Sequence, residues 1–530
     1  MSVPRVSVLI LDTHGKPAAA IGETVASLVS QTEPAWEAVV VGAFEALKGR
    51  QGPPTSLINA ADRLVMRKSS ATSLGELAAR GLAAATGEWV CVLEPGDALA
   101  PEALALLLAA ARRMPSAQLA YADERGADGA EHTKPGWSPT YLHGCPYVGR
   151  PALLRRRELL ARGGFRADAG TAVEWAAWLD LAASRPGLAR SNRSPWDGGV
   201  AVHVAQLLAI RSGTVGVAAR GLAAEVDRCR MLSAYLARNE AYASVESAGP
   251  AGCFRVRRPL PNPPLVSVVV PTRGGHRLVR GMPTELVSNA LRSLVARTDY
   301  PAYELVVVLT DGYPADLPER LRRLAADRPL RLVRDPGGFD FSRACHTGVD
   351  ASRGALVCLL NDDIEVTHPD WLSRMVEHAT APGVGVVGAQ LRYEDGRIQH
   401  AGVIQQTGLL SHRFAGAPAG FGPEGLLSLD VDYIAVTGAC LLTPRAVWNE
   451  VGGLSGRLPV NYGDVDYCLR VRATGRRVLV ASGAVLIHFE SSSREQIRAT
   501  AEELDTWSAL WASRLAVDPY LGAGPMSVRA

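Results

Sequence analysis

The chain has 530 residues, too many for one hydrophobic core, so two or more domains are expected. Hydrophobic residues make up 47% and charged residues 21%, as in ordinary globular proteins, and a formal net charge of +3 argues against a dedicated nucleic-acid binder. Cysteines stand at 91, 145, 229, 253, 345, 358, 440 and 468; with no CxxC pair they read as buried free thiols of a reducing compartment, not as a zinc site or disulfide frame.

Residues 1 to 12 lack a signal-peptide layout, since the apolar run is short and leads straight into a polar loop. No stretch reaches the roughly 18 apolar residues of a membrane span. The nearest, Ala98 to Ala111, is interrupted by Pro101 and Glu102 and ended by Arg112-Arg113, so a buried amphipathic helix is expected there.

The run from Val6 to Leu11 is continuously aliphatic apart from Ser7, the mark of a strand buried on both faces, as in parallel sheets. A helix from about Ile21 to Ser30 follows, then a strand over Trp36 to Val41. Residues 74 to 85 read as helix and 88 to 93 as strand, ending in Glu94-Pro95-Gly96-Asp97. The helix Leu222 to Asn239 precedes a stretch rich in Pro and Arg, Pro250 to Pro264, most simply an extended, solvated linker. Its arginines are a weaker candidate for phosphate contact.

The same order then recurs. A strand from Val266 to Val270 runs into Pro271-Thr272-Arg273, and a helix is expected over about Thr284 to Ala296. A strand from Tyr303 ends at Thr310-Asp311-Gly312, residues 341 to 351 read as helix, and the apolar run Ala355 to Leu360 leads into Asn361-Asp362-Asp363. Ala84-Ala85-Thr86-Gly87-Glu88 in one half matches Ala351-Ser352-Arg353-Gly354-Ala355 in the other. The expectation is two tandem copies of one α/β domain, each a mostly parallel sheet with helices on both faces. The boundaries read 1–215 for the first copy, 216–264 for a helical and Pro/Arg-rich linker, and 265–530 for the second.

Ligands of open α/β sheets sit beyond the carboxyl ends of the strands. In the second copy those ends carry Thr272 and Arg273, Asp311, and Asp362 with Asp363. Adjacent carboxylates after a buried strand suit a divalent cation with a phosphate, although Asn-Asp-Asp is equally the composition of a plain turn. Further along, Asn461-Tyr462-Gly463-Asp464 places Asp464 at a helix start, where it competes with a simple N-cap. Asp466 and Arg470 are spaced to pair along that helix. The strand-like run Val485 to Phe489 carries His488, a structural residue or a metal ligand.

Together with these pieces, Asp395-Gly396-Arg397-Ile398-Gln399-His400-Ala401-Gly402, Thr437-Gly438-Ala439-Cys440-Leu441, Gly452-Gly453-Leu454, Gly463 to Arg470 and His488-x-Glu490-Ser491 resemble the family 2 glycosyltransferases of GT-A fold. The resemblance covers about 265–520 closely and 5–210 more loosely. It implies Asp363 and His488 on a Mn²⁺ or Mg²⁺ ion and Asp362 near the ribose of a nucleotide-diphosphate sugar. It implies Asp311 at the nucleobase, with Pro271, Thr272 and Arg273 beside the donor, and Asp464 as the base that deprotonates an acceptor hydroxyl. Such a reaction inverts the anomeric centre in one displacement. The acceptor would be a glycan or lipid-linked glycan of bacterial surface polysaccharide, with no nucleic acid involved. The enzyme would be cytoplasmic, in peripheral contact with the inner face of the plasma membrane where the acceptor is lipid-linked. No Gln-x-x-Arg-Trp motif of processive members is present, which favours one or a few additions.

The first copy departs from the pattern. Its second strand ends Val41-Gly42-Ala43 without a carboxylate, Gly96 stands where a metal-binding Asp belongs, and only Glu174 occupies the place of the base. That copy reads as a scaffold or acceptor-binding module. Two other functions compete for the whole chain: a nucleotidyltransferase with a phosphate loop at Pro271 to His276, and a non-catalytic carbohydrate-binding pair.

Overall fold

The computed structural model describes residues 4–13, 15–43, 54–183, 199–213, 215, 222–240, 242–249, 252–406, 409–489, 499–515 and 518–521. They fall into two compact units, one made chiefly of residues up to Val256 and one running from Arg257 to Tyr520.

The second unit is built on a central strand, Val266–Thr272, buried along its whole length. It runs parallel to Tyr303–Thr310 on one side and Leu356–Leu360 on the other. Leu330–Asp335 extends the parallel part beyond Tyr303–Thr310. The sheet continues the other way through Cys440–Pro444, antiparallel to both its neighbours, to Val384–Arg392 and Arg477–His488, which are parallel to each other. Ile364–Val366 closes that edge.

Successive residues of a strand point to opposite faces, and the packing follows that alternation. Val266, Val268 and Val270 join Leu305 and Val307 in a core capped by Val287, Leu291 and Leu294 of helix Leu286–Arg297 and by Trp371 and Met375 of helix Trp371–Ala379. On the other face Gly348 of helix Phe341–Asp350 lies against Val269 and Val308, so closely that a Cβ there would stand 2.3 Å from Val269 Cγ1. The sheet is therefore covered on both faces, as its apolar strands require.

The first unit repeats this plan. Its strand order is Leu64–Lys68, Trp36–Gly42, Val6–Leu11, Trp89–Leu93, Ala152–Arg155, Leu119–Arg125, Ala201–Ile210, Ala98–Leu99, the same path element for element. One polar device is duplicated as well. Ser7 Oγ donates to Glu37 Oε1 at 2.6 Å and accepts from Gly87 N at 2.8 Å; Ser267 Oγ donates to Glu304 Oε1 at 2.7 Å and accepts from Gly354 N at 2.7 Å. The same carboxylates take the backbone N–H of Thr86 and of Arg353, each at 2.6 Å. A Cβ on Gly87 or Gly354 would stand 2.7 or 2.5 Å from the serine nitrogen, which is why both copies keep glycine there. This staple sits at the amino ends of the strands and leaves the carboxyl ends for chemistry.

The helix expected over about Thr284 to Ala296 runs Leu286–Arg297, and between it and Arg273 His276–Val279 and Met282–Glu285 pair as an antiparallel hairpin that the sequence did not indicate. A phosphate loop needs a helix N-terminus immediately behind it, so the nucleotidyltransferase alternative loses its one supporting feature. The Pro/Arg-rich stretch is not simply solvated. Phe254–Arg257 pairs with Ser244–Ser247, and Arg257 Nε and Nη2 both donate to Glu377, at 3.1 and 2.7 Å. Val226 of helix Leu222–Asn239 is exposed, whereas Met231 and Leu236 are buried. The apolar run near residue 100 is helix Ala103–Arg113 with a buried face, and among the described residues no helix is long and apolar enough to cross a membrane.

Candidate active site

The second unit's sheet reverses its winding between Val266–Thr272 and Leu356–Leu360, since their partners run off in opposite directions along the chain. Ligand clefts form at such a reversal. Thr272 closes the first strand, and its hydroxyl donates to Asp362 Oδ2 at 2.6 Å while accepting from Gly274 N at 3.0 Å. The hydroxyl thereby fixes the half-buried Asp362 carboxylate at the strand ends. Pro271 is buried within the strand and Arg273 is exposed just past it.

Asp363 is buried, and its Oδ1 lies 3.0 Å from His488 Nε2. The imidazole is held from behind: Nδ1 is 2.7 Å from Gln399 Oε1, and the Gln399 amide nitrogen donates to the His488 carbonyl at 3.3 Å. An amide oxygen only accepts, so Nδ1 carries the proton and Nε2 faces the carboxylate. The Asn361 amide nitrogen also lies 3.3 Å from Nε2, and the close approach of Nε2 to the Asp363 carboxylate is eased by a cation between them. The pair therefore fits a divalent cation. Among the described residues no group of three or more His, Cys, Asp or Glu is placed to hold a metal. A cation held by one or two side chains and completed by substrate phosphates and water is the usual arrangement for Mg²⁺.

His400 stands behind this pair and was not singled out from the sequence. It is buried with Nδ1 2.7 Å from His412 Nδ1, and burial, then the His412 and His488 rings, push its pKa well below the usual 6.5. It is a neutral spacer. The rest of the motif from Asp395 to Gly402 thus has a use: Gln399 orients His488.

Asp464 is the second residue of helix Gly463–Ala473, whose N-cap is Tyr462, so Asp464 is not the N-cap. Its Oδ2 accepts from Gly438 N at 2.7 Å and its Oδ1 from Val465 N at 2.8 Å. The next residue, Ala439, accepts from Asn361 N at 3.0 Å. Asp464 and the Asn361-Asp362-Asp363 turn are thus tied to consecutive residues of one strand entrance. Tyr462 is forced to φ 61°, a left-handed conformation costly for a bulky residue. The loop is clamped by Glu503, whose carboxylate accepts from Val460 N and Asn461 N at 3.1 and 2.8 Å, and by Trp507, whose ring stacks on Tyr462. Asp466 pairs with Arg470 as spaced, and also takes the Trp511 indole N–H at 2.9 Å.

Asp311 lies farther along the same edge, exposed, with Oδ2 accepting from Gly337 N at 2.8 Å. Beside it the sequence reading missed a carboxylate. Asp335 ends the strand Leu330–Asp335, is buried, and receives Arg343 Nε on both oxygens at 3.2 Å. Glu490 and Ser491 lie outside the described residues.

Apolar strands ending in Thr272, Asp362 and Asp363, with His488 and Asp464 brought up from later elements, define an α/β transferase domain of the GT-A type. Residues 267–447 match the family described as Glycosyl transferase family 2. The O-antigen biosynthesis protein RfbC of Myxococcus xanthus is 32% identical over 533 residues, spanning 97% of this chain and 39% of its own. The uncharacterized protein y4gI of Sinorhizobium fredii is 33% identical over 480 residues, 86% of this chain and 50% of its own. The chain thus spans half or less of the length of these curated relatives. Among solved structures, a mannosyltransferase from Pyrobaculum calidifontis is 18% identical with a TM-score of 0.31, covering 52% of this chain and 67% of its own. S. aureus TarS is 15% identical with a TM-score of 0.32, covering 44% and 66%. The chain carries a family 2 glycosyltransferase domain, seated in its second unit.

Proposed function

We propose that the second unit transfers a sugar, with inversion, from a nucleotide-diphosphate sugar to a hydroxyl of a glycan or lipid-linked glycan acceptor. The observation that carries this reading is the tie between Asp464, Gly438-Ala439 and Asn361-Asp362-Asp363, which joins the Asp464 carboxylate to the turn that bears the Asp363–His488 pair. Asp362, fixed by Thr272, accepts from a ribose hydroxyl. Asp311 and Asp335 line the edge where a base would lie. Asp363 and His488 would hold Mn²⁺ or Mg²⁺, which supplies charge neutralisation for the departing nucleoside diphosphate. Asp464, with its oxygens oriented by two backbone N–H groups, takes the proton of the acceptor hydroxyl as that oxygen attacks the anomeric carbon. The proton stays on Asp464, the glycosidic bond to phosphate breaks as the new one forms, and no enzyme nucleophile is needed.

The relative named for O-antigen biosynthesis supports surface polysaccharide as the product. The test is a panel of nucleotide sugars with Mn²⁺ or Mg²⁺ and a lipid-linked glycan acceptor. One donor should be consumed with release of its nucleoside diphosphate. Asp464→Asn should lower turnover roughly 10²–10⁴-fold, the range of general-base catalysis, while nucleotide still stabilises the fold. Release of pyrophosphate from a nucleoside triphosphate and sugar phosphate would refute the proposal.

A further inference from the structure

The hairpin His276–Val279 and Met282–Glu285 is not used by the chemistry proposed above, and the fold does not require it. The first unit passes from strand Val6–Leu11 to helix Ala18–Val29 across residues 12–17 with no hairpin between them. In the second unit the hairpin is fastened beside the candidate site. Val279 is buried with Leu286 and Phe489, and Arg277 Nη1 donates to the Phe489 carbonyl at 2.6 Å. Phe489 follows His488, and its N–H donates to the Asp363 carbonyl at 2.9 Å.

The tip is pinned. Arg280 at φ 48° and Gly281 at φ 78° make a two-residue turn whose twist suits the flanking strands. Arg280 N donates to Glu394 Oε1 at 2.6 Å, and its guanidinium donates to Glu365 at 2.9 Å while lying over the Phe489 ring. A ribbon packed by one face needs apolar residues on that face alone, and Val279 supplies it. Yet Leu278 is 62% exposed and Met282 67%. Leu278 stands opposite the exposed Pro283 across the ladder, and Met282 flanks the turn. Single exposed apolar side chains are ordinary; here two project from one pinned tip.

Positive charge surrounds them. Residues 273–285 hold Arg273, Arg277 and Arg280 against Glu285 alone, and Glu285 pairs with Arg320. Glu365 is shared by Arg280 and Arg297, both half-exposed. An apolar tip among guanidinium groups suits the boundary of an anionic bilayer, where aliphatic side chains enter the acyl region and cations meet lipid phosphates. A protein partner suits it less. A specific interface takes about 800 Å² from each side, whereas this tip presents two side chains and a proline.

We infer that this hairpin docks the second unit on an anionic lipid surface, with Leu278 and Met282 entering the interface. A bilayer held there would bring a lipid-linked hydroxyl to the mouth of the site, a consequence that rests on the function proposed above; the docking itself does not.

The test is co-sedimentation of the full chain with phosphatidylcholine vesicles, with and without phosphatidylglycerol. Binding should require phosphatidylglycerol and weaken as salt screens the charges. The double variant Leu278→Ser/Met282→Ser should melt with the unsubstituted chain, since both sites are exposed, and bind roughly tenfold more weakly. A second readout needs no variant protein for its effect. In the unsubstituted chain carrying ¹³C-methyl methionine, adding a nitroxide lipid to phosphatidylglycerol bicelles should broaden the Met282 resonance, assigned by its loss in Met282→Leu, and spare that of the buried Met375. No binding to anionic vesicles, equal binding to neutral ones, undiminished binding of the double variant or an unbroadened Met282 resonance would each overturn the inference. So would lipid-free self-association that the double variant abolishes, since a second copy would then cover the tip. Stabilisation by nucleoside diphosphate with Mn²⁺ is measured in parallel. If it fails while vesicle binding survives, the transferase reading falls and the bilayer contact stands; the reverse result removes the contact and keeps the transferase.

Discussion

Gln399 orients the imidazole of the proposed cation pair. Its Oε1 accepts from Nδ1–H of His488, and so turns Nε2 toward Asp363. Removing such an outer partner from a metal-ligating histidine weakens metal binding by about 10–100-fold. Gln399→Leu should raise the Mn²⁺ concentration for half-maximal activity by that order, with kcat at saturating metal much less affected; an unchanged metal titration would remove the role assigned to His488. The buried charges of the first unit are open to a different measurement. Burial opposes ionisation of Glu124, yet Lys134, the His132 hydrogen bond and Arg211 outweigh it and hold its carboxyl far below the ordinary range. A depressed folded-state pKa means stability that is present above the unfolded value, about 4.3, and lost as the pH falls below it. Glu124→Gln should therefore destabilise the first unit at pH 7, by roughly 3–5 kcal/mol since it leaves buried cations without their carboxylate. The gap to the unsubstituted chain should narrow steadily in melts taken from pH 5 downward, and a gap independent of pH would contradict the ion-pair account.

Elements with a strong local signal were legible from the chain alone. The continuous aliphatic runs at Val6–Leu11, Val266–Thr272 and Leu356–Leu360 are strands because a parallel sheet covered on both faces admits little else. Helix Leu222–Asn239 was delimited by its residues, and the acid-ended strands pointed to the edge where the site lies. Two elements were not legible, for physical reasons. Leu330–Asp335 carries Arg331 and Arg334, three apart and so on opposite faces, and none of its residues before Asp335 is fully buried, so it shows no apolar alternation and concealed Asp335. The hairpin His276–Val279 and Met282–Glu285 turns on Arg280, a non-glycine at φ 48°, followed by Gly281, and its short arms lack any apolar alternation. The clamp of Glu503 and Trp507 on the Tyr462 loop joins segments far apart in sequence, which no local pattern announces. Helix Phe341–Asp350 offers an element-level test. It meets the sheet at Gly348, where a Cβ would enter Val269 and Val308, whereas the corresponding Gly81 would meet Leu9 Cδ1 at 3.2 Å, the movable end of a side chain. Gly348→Ala should cost roughly 1–3 kcal/mol by overpacking and shift the helix that carries Arg343 against Asp335, weakening nucleotide binding. Gly81→Ala should cost clearly less in the same thermal melts, and equal penalties would argue against the packing described.

At the scale of the whole chain, one topology has been used twice and diverged only at the carboxyl ends of its strands. The Ser7–Glu37–Gly87 and Ser267–Glu304–Gly354 staples are the same, because they serve the sheet. The opposite ends differ: a carboxylate–imidazole pair in one unit, guanidinium–carboxylate pairs in the other. The sequence announced the loss of carboxylates in the first copy but not the gain of Arg150 and Arg211, which lie far apart in the chain and gain meaning only through strand register. Each unit has its own apolar core, Val266 to Leu486 in one and Val6 to Ala209 in the other. A domain with its own core melts on its own account unless a large apolar interface couples it to its neighbour. Scanning calorimetry should then resolve two transitions, of which Glu124→Gln lowers one and Gly348→Ala the other. Nucleoside diphosphate with Mn²⁺ at about 100 times its Kd adds about 2.7 kcal/mol to whatever binds it, roughly 5–10 °C for a unit of this size. That increment should fall only on the transition lowered by Gly348→Ala, because the proposed site for a cation and a diphosphate lies in that unit. If the Glu124→Gln transition rose as well, the first unit would have to bind nucleotide, and the placement of the donor site in the second unit alone would be wrong.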